Sequence, residues 1–178
     1  MNDFKTYIDA NDIEKISEFY RNGFYLAGVM LVMELDLGSQ KLEERDNIEL
    51  YDNTNLSEYL AANGKGFGTP DPIDTIEKEL RYENANIYVL REKGKIVSSV
   101  TVWDESVDMI STENIFTIPK FRGRGYAMAV LSKALMDAIN RGMKKARLTV
   151  YSTDLPAIKL YDKMGYKITK VLQEFRHE

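Results

Sequence analysis

The sequence predicts an α+β (α/β three-layer) fold, with a central mixed, mostly antiparallel sheet flanked by helices. Three observations predict it. First, the apolar run Ile115-Phe116-Thr117-Ile118-Pro119 leads through a glycine-rich turn, Arg122-Gly123-Arg124-Gly125, into a strongly periodic helix. Ala127, Val130, Leu131, Ala134, Leu135, Ala138 and Ile139 recur there at helical spacing. Second, Asn86 to Arg91 and Lys95 to Trp103 read as two strands joined by a turn at Lys93-Gly94. Third, the long helix is followed in close succession by a strand, a short helix and a last strand.

The elements are justified in chain order as follows. Asp12 to Tyr20 reads as a helix and Phe24 to Leu35 as a mostly apolar strand. Gly38 to Asp46 is charged and reads as a linker. Ile48 to Tyr51 is a short strand, and Asn55 to Asn63 a helix with Asn55 as its cap. Gly64 to Pro72 is rich in glycine and proline and predicts a flexible loop near a substrate entrance, ending the helix before it. Asp74 to Tyr82 reads as a further helix, with Ile73, Ile76 and Leu80 on one face. After the hairpin, Met109 to Ile118 is the strand that feeds the glycine-rich turn. The long helix runs to about Asn140, with Gly142 as its C-terminal cap. Ala146 to Tyr151 is a strand, Leu155 to Met164 a short helix stopped by Gly165, and Tyr166 to Phe175 the final strand.

A strand, a glycine-rich turn and a helix start together make an anion site. Backbone N–H groups converge there, and the helix adds the equivalent of roughly +0.5 charge at its N-terminus. Gly123 and Gly125 lack a Cβ, which allows close approach of a phosphate. The dinucleotide fingerprint requires a third small residue where Met128 stands, and no acidic residue lies at the ribose distance. The nucleoside-triphosphate loop requires Gly-Lys-Ser/Thr, which does not occur in the chain. What remains is Arg-x-x-Gly-x-Ala, carried by Arg122, Gly125 and Ala127. This resembles the pyrophosphate-binding motif of the GNAT superfamily of N-acetyltransferases, which bind acetyl-coenzyme A.

A second segment strengthens the resemblance. Asp154 to Tyr166 is similar to the family's last helix and following strand, usually Asn-x-x-Ala-x-x-Leu-Tyr and then Gly-Phe. The chain matches at Ala157, Leu160, Tyr161 and Gly165, with Tyr166 for Phe and Asp154 for Asn. The resemblance implies a GNAT-type fold and a GNAT domain over residues 47–178. Residues 1–46 are then an N-terminal helix-strand extension. Phe19-Tyr20-Arg21-Asn22-Gly23-Phe24 echoes Tyr161-Asp162-Lys163-Met164-Gly165-Tyr166, so the extension is read as a degenerate copy of the domain's last helix and strand.

The resemblance also implies roles for single residues. The backbone of Ile115, Phe116 and Thr117 would pair with the pantetheine arm like an added strand. Gly123, Arg124, Gly125, Tyr126, Ala127 and Met128 would offer amides to the pyrophosphate. Arg122 would add charge there or pack and cap the turn. Asp154 would contact the coenzyme or, in the preferred reading, cap the helix beginning at Leu155. Tyr161 would protonate the departing thiolate, and Glu113 is the candidate base, on an alternating strand that shares a face with Ile115 and Thr117. Asp108 and Glu105 are alternatives. The base has a real task, because an alkyl ammonium of pKa ~10.4 is neutral in roughly one molecule in 2,500 at pH 7.

Composition narrows the chemistry further. The chain has no cysteine and one histidine, His177, near its end. Thiol nucleophiles, disulfides and histidine metal clusters therefore lack raw material, and no metal is expected. A net charge of −4 and the absence of a basic tract argue against nucleic-acid binding. No run approaches the ~20 apolar residues of a membrane span, and the first residues lack a secretory pattern, so no membrane association and a cytoplasmic location are expected. The expected function is transfer of an acetyl group from acetyl-coenzyme A to a primary amine on a small molecule or peptide. The alternatives are an acyl-coenzyme A-binding protein of the same fold with weak or no turnover, and a partner-binding domain that takes no coenzyme. The N-terminal or final strand can pair between subunits, which leaves a homodimer open.

Overall fold

The computed structural model describes residues 5–38, 40, 42, 45–52, 55–68 and 85–177. In chain order its elements are β1 (Lys5–Asp9), α1 (Ile13–Arg21), β2 (Tyr25–Asp36), β3 (Ile48–Leu50), α2 (Leu56–Phe67), β4 (Ala85–Glu92), β5 (Lys95–Asp104), β6 (Met109–Thr117), a 3-10 turn (Pro119–Phe121), α3 (Tyr126–Asn140), β7 (Lys145–Tyr151), α4 (Leu155–Lys163) and β8 (Lys167–Arg176). The helix expected at Asp74 to Tyr82 lies outside the described residues. The chain divides into two compact units, Met1–Leu35 with Arg147–Glu178, and Asp36–Ala146. The expected boundary between residues 46 and 47 falls inside the second of these.

In the unit spanning 36–146 the strand order is β6-β5-β4-β3, with every neighbouring pair antiparallel. Alternation along the strands gives the sheet two faces. Ile87, Val89, Ile96 and Phe116 pack with Tyr59 and Ala62 of α2 on one face. On the other face Tyr88 lies against Asp137 of α3. The result is a helix, sheet, helix sandwich, closed by burial of apolar faces on both sides.

The helix α2 corrects one expectation. It begins as predicted, with the Asn55 carboxamide oxygen accepting from the Glu58 amide at 3.2 Å. It then runs through Gly64 and Gly66 to Phe67, where a loop was expected, and ends at Gly68 in the left-handed conformation (φ 82°). Packing overrides propensity here. A Cβ on Gly66 would stand 2.5 Å from the Phe116 ring, so glycine serves close helix-to-sheet approach, not flexibility. The local cost of a helical glycine, about 1 kcal/mol each, is offset by that burial.

The other unit has the strand order β1-β8-β2-β7. The five-residue strand β1 was not foreseen; Lys-Thr-Tyr-Ile-Asp is too short to show a period. The unit contains two matching β-α-β segments, β1-α1-β2 and β7-α4-β8. Each helix has nine residues and an aspartate cap, Asp12 or Asp154, with φ −85° in both and ψ 71° or 69°. Each is followed by a left-handed glycine, Gly23 or Gly165. Asp12 N–H donates to Asp9 O, and Asp154 N–H to Tyr151 O, both at 2.9 Å. Equivalent positions are 142 residues apart, as from 12 to 154 and from 23 to 165.

The antiparallel pairing of β2 with β8 obeys the same exchange. Tyr25 opposite Arg176 is mirrored by Glu34 opposite Lys167, and Gly28 opposite Glu174 by Val32 opposite Lys170. The register centres on Met30 opposite Leu172, and each strand carries one extra residue, Ala27 in β2 and Thr169 in β8. A local two-fold axis therefore passes between these strands. Ile8, Ile16 and Phe175, with Phe19 and Phe24, form the apolar layer between α1 and its face of the sheet.

Candidate active site

The glycine-rich turn lies in the 36–146 unit. The 3-10 turn at Pro119–Phe121 ends β6, and Gly123 (φ 75°) and Gly125 (φ 76°) then bend the chain into α3, with Gly125 as its N-cap. Positive φ at both positions is a conformation that costs other residues roughly 1–2 kcal/mol. The first turn of α3 has no side-chain cap and no acidic residue. Among the described residues the amides of 123–128 donate to no protein acceptor, whereas Ala129 N–H closes on Gly125 O at 3.0 Å. A helix start normally leaves its first amides open. Here the opening extends back through both glycines, with no acidic residue in the first turn of the helix.

Arg122 directs two of its guanidinium nitrogens at backbone carbonyls. Its Nε donates to Thr117 O at 3.0 Å and Nη2 to Gly66 O at 2.8 Å, so it ties the end of β6 to the C-terminal turn of α2. Of the two readings of Arg122, the geometry is that of packing and capping. The Arg124 guanidinium lies over the Phe121 ring at 5.4 Å, and that of Arg45 over the Tyr126 ring at 5.9 Å. The Tyr126 hydroxyl bonds Glu92, tying the first residue of α3 to the end of β4.

Strand β6 departs from plain alternation, which corrects the placement of Glu113. Thr101 pairs with Glu113 and Ser99 with Phe116, so β6 holds one residue more than β5 between these pairs. This β-bulge is accommodated by Asn114 at φ 47°. Across it Glu113 shares a face with Phe116, and not with Ile115 and Thr117. Glu113 is exposed, Ile115 and Thr117 are half-buried, and Phe116 is core. The Phe116 carbonyl accepts from Ser98 Oγ at 2.7 Å. On β5 the Ser99 and Thr101 hydroxyls, like the Asn63 side chain of α2, are buried without a protein partner among the described residues. Buried polar atoms of this kind are where water or ligand atoms bind. No sequence pattern singles them out, because serine, threonine and asparagine are usually exposed. Asp108 and Glu105 both belong to the turn between β5 and β6, with the Asp108 carboxylate accepting from Ser106 Oγ at 3.2 Å.

Tyr161 and Asp154 belong to the other unit, on α4. The Asp154 carboxylate accepts from the Ala157 amide at 3.2 Å and caps the helix, with Pro156 in the first turn. Tyr161 is 7% exposed, 5.9 Å from the Tyr166 ring centroid, and its hydroxyl donates to no protein acceptor among the described residues. Burial first, and then the negative charge of Asp154, push its phenol well above the usual value of 10. The proton therefore stays on the oxygen across the neutral range, available to a base stronger than water.

Among the described residues no group of His, Asp and Glu side chains could hold a metal ion, and no helix is long and apolar enough to cross a membrane. The acetyltransferase (GNAT) family model matches residues 49–166. An acetyltransferase of Yersinia enterocolitica is 31% identical over 97 residues, covering 54% of this chain and 68% of that protein. One of Pectobacterium atrosepticum is 32% identical over the same length, with the same coverage. A GCN5-related N-acetyltransferase from Sphaerobacter thermophilus has a TM-score of 0.75 at 20% identity and covers 98% of this chain. The match spans 59% of that longer chain. A GCN5-related N-acetyltransferase from Kribbella flavida has a TM-score of 0.73 at 13% identity, covering 97% of this chain and 67% of that one. At these identities the solved structures share the fold.

Proposed function

Because the chain belongs to the acetyltransferase (GNAT) family, we propose that it transfers the acetyl group of acetyl-coenzyme A to a primary amine by direct attack in a ternary complex. The observation that carries this reading is the run of amides at 123–128 without protein acceptors among the described residues, at a helix start with no acidic residue. That donor set fits a pyrophosphate. A bound acetyl-coenzyme A supplies an electrophilic thioester carbon and a thiolate that can leave.

The remaining work falls to side chains. The backbone of Ile115, Phe116 and Thr117 positions the pantetheine arm along β6. Glu113 accepts the amine proton, directly or through water. Tyr161 gives its proton to the departing sulfur and recovers it from solvent. Burial keeps the phenol protonated, so its proton is present when the thiolate forms, and general acid assistance is typically worth 10²–10⁴-fold. Asp154 holds α4 in place by capping and makes no direct contact with the coenzyme. The acceptor is a small-molecule or peptide amine.

The test has two arms. Acetyl-coenzyme A at ~100 times its Kd is expected to stabilise the protein by about 2.7 kcal/mol in a thermal-shift titration, and Gly125→Val to abolish that shift. No shift would overturn the reading. A thiol-release assay over a panel of primary amines then separates an active transferase from an acyl-coenzyme A-binding protein without turnover.

A further inference from the structure

The two-fold in the β1-β8-β2-β7 sheet supplies an internal control. The face opposite α1 carries Lys5, Arg176 and Tyr25 in one cross-strand row, and Tyr7, Glu174 and Gly28 in the next. The Tyr151 ring lies on Gly28, where a Cβ would approach it to 3.2 Å. At the exchanged positions of the same face the charges are matched one to one. Arg147 pairs with Glu34 at 2.8 Å, and Lys170 with Asp9 at 3.0 Å. The exchanged counterpart of the Arg147–Glu34 pair is Lys5 opposite Arg176, two cations. The counterpart of Lys170–Asp9 is Gly28 beside Tyr151.

One carboxylate stands between those cations, and it is spent. The Glu174 side chain is 2% exposed. Its Oε2 accepts from Tyr151 Oη at 2.6 Å and lies 3.5 Å from Lys5 Nζ, and its Oε1 accepts from Arg176 Nε at 2.8 Å. Lys5 Nζ also donates to Tyr151 Oη at 3.4 Å. Burial would raise the Glu174 pKa, but the bonds from Tyr151 and Arg176 hold it below the ordinary value. Glu174 therefore fixes Tyr151, Lys5 and Arg176 in place and offers nothing to a cationic ligand. Among the described residues, two cations against one carboxylate leave the corner positive. The terminal nitrogens of Arg176 have no protein acceptor among the described residues. Around them Tyr7, Tyr25 and Tyr151 are 42%, 45% and 39% exposed.

We propose that the Lys5–Tyr151–Arg176 corner is a binding site for a carboxylate-bearing ligand, with the tyrosine rings receiving the apolar group that carries it. The guanidinium edge supplies paired parallel donors that match a carboxylate, and Lys5 adds a point charge. Resting on the acetyltransferase reading, one source of that carboxylate is the acceptor, an amine that also bears a carboxylate. A carboxylate effector is the other source of the same chemistry.

The probes are N-acetylphenylalanine and its carboxamide, neither of which has a free amine to acetylate. Calorimetric titration without acetyl-coenzyme A is expected to show the carboxylate binding at least tenfold more tightly. Lys5→Met and Arg176→Met should each erase that preference, while Lys170→Met, at the matched end, keeps it; circular dichroism checks that each variant is folded. Equal affinity for the two probes, or a preference that survives both Lys5→Met and Arg176→Met, overturns the proposal. In the thiol-release assay with phenylalanine, a tenfold rise in KM at constant kcat for Arg176→Met assigns the acceptor as the source. Lost probe binding with KM unmoved assigns an effector. A missing acetyl-coenzyme A thermal shift would break the acetyltransferase reading and leave the probe titration intact, so the two failures are separable.

Discussion

The segments β1-α1-β2 and β7-α4-β8 share a backbone and differ in chemistry. Their caps have the same φ and nearly the same ψ, and their left-handed glycines and strand registers correspond. Even the ring pairs correspond. Phe19 and Phe24 lie 4.6 Å apart in one, Tyr161 and Tyr166 5.9 Å apart in the other. A short polar cap, an Asx-type entry and a left-handed exit are enough to specify the turn geometry twice. Nothing in that geometry requires a hydroxyl. Phe19 fills the place that Tyr161 fills, so the phenol oxygen on α4 is an addition to a scaffold that already packs without it. The same holds on the open face, where one end pairs its charges and the other accumulates cations and tyrosines around Glu174.

Exchanging the residues that differ is the direct way to break this comparison. The largest effect is expected from Tyr161→Phe, which gives α4 the ring of α1. Turnover should fall by about 10²–10⁴-fold with acetyl-coenzyme A affinity nearly unchanged, measured by thiol release and thermal shift. Phe19→Tyr should leave turnover as it is. Unchanged turnover in Tyr161→Phe would remove the phenol from catalysis.

A smaller effect is expected from acid titration of the two ends of the open face. The Glu174 pKa lies below its ordinary value of 4.5 in the folded protein. Its contribution is therefore fully present above about pH 4.5 and is lost as the pH falls through the lower folded value. Charged hydrogen bonds of this kind are worth about 1.5–3 kcal/mol. Chemical denaturation of wild-type protein and Glu174→Gln across pH 3–7 should show the difference in stability shrinking on the acid side. The matched Lys170–Asp9 pair is solvent-facing, and Lys170→Met should leave the profile nearly superimposable on that of the wild type.

The smallest effect, and the sharpest test of equivalence, comes from the caps. Asp12→Ala and Asp154→Ala should each cost about 1 kcal/mol in equilibrium unfolding, and the two values should agree closely. If Asp154→Ala also weakens acetyl-coenzyme A binding, Asp154 does more than its counterpart.

Much of the scaffold was legible because it is local. The periodicity of Ala127 to Ile139, the glycines of the turn, the Lys93-Gly94 hairpin and the Asn55 and Asp154 caps depend on neighbours a few residues away. The rest is non-local. The continuation of α2 through Gly64 and Gly66 depends on Phe116, far along the chain, and on an arginine that reaches back to Gly66 O. The face of Glu113 depends on one extra residue in β6, visible only when β6 is laid against β5. The role of Glu174 depends on Tyr151, Lys5 and Arg176, three positions from three strands.

By itself the sequence determined the family, the order of most elements and the glycine-rich turn, because each follows from short-range periodicity, capping and glycine chemistry. Only the tertiary structure decided that β2 lies between β8 and β7, that Arg122 is engaged by backbone carbonyls, and that Lys5 and Arg176 share the single carboxylate of Glu174. Those outcomes are set by strand register and by contacts between residues distant in the chain, which no local pattern encodes.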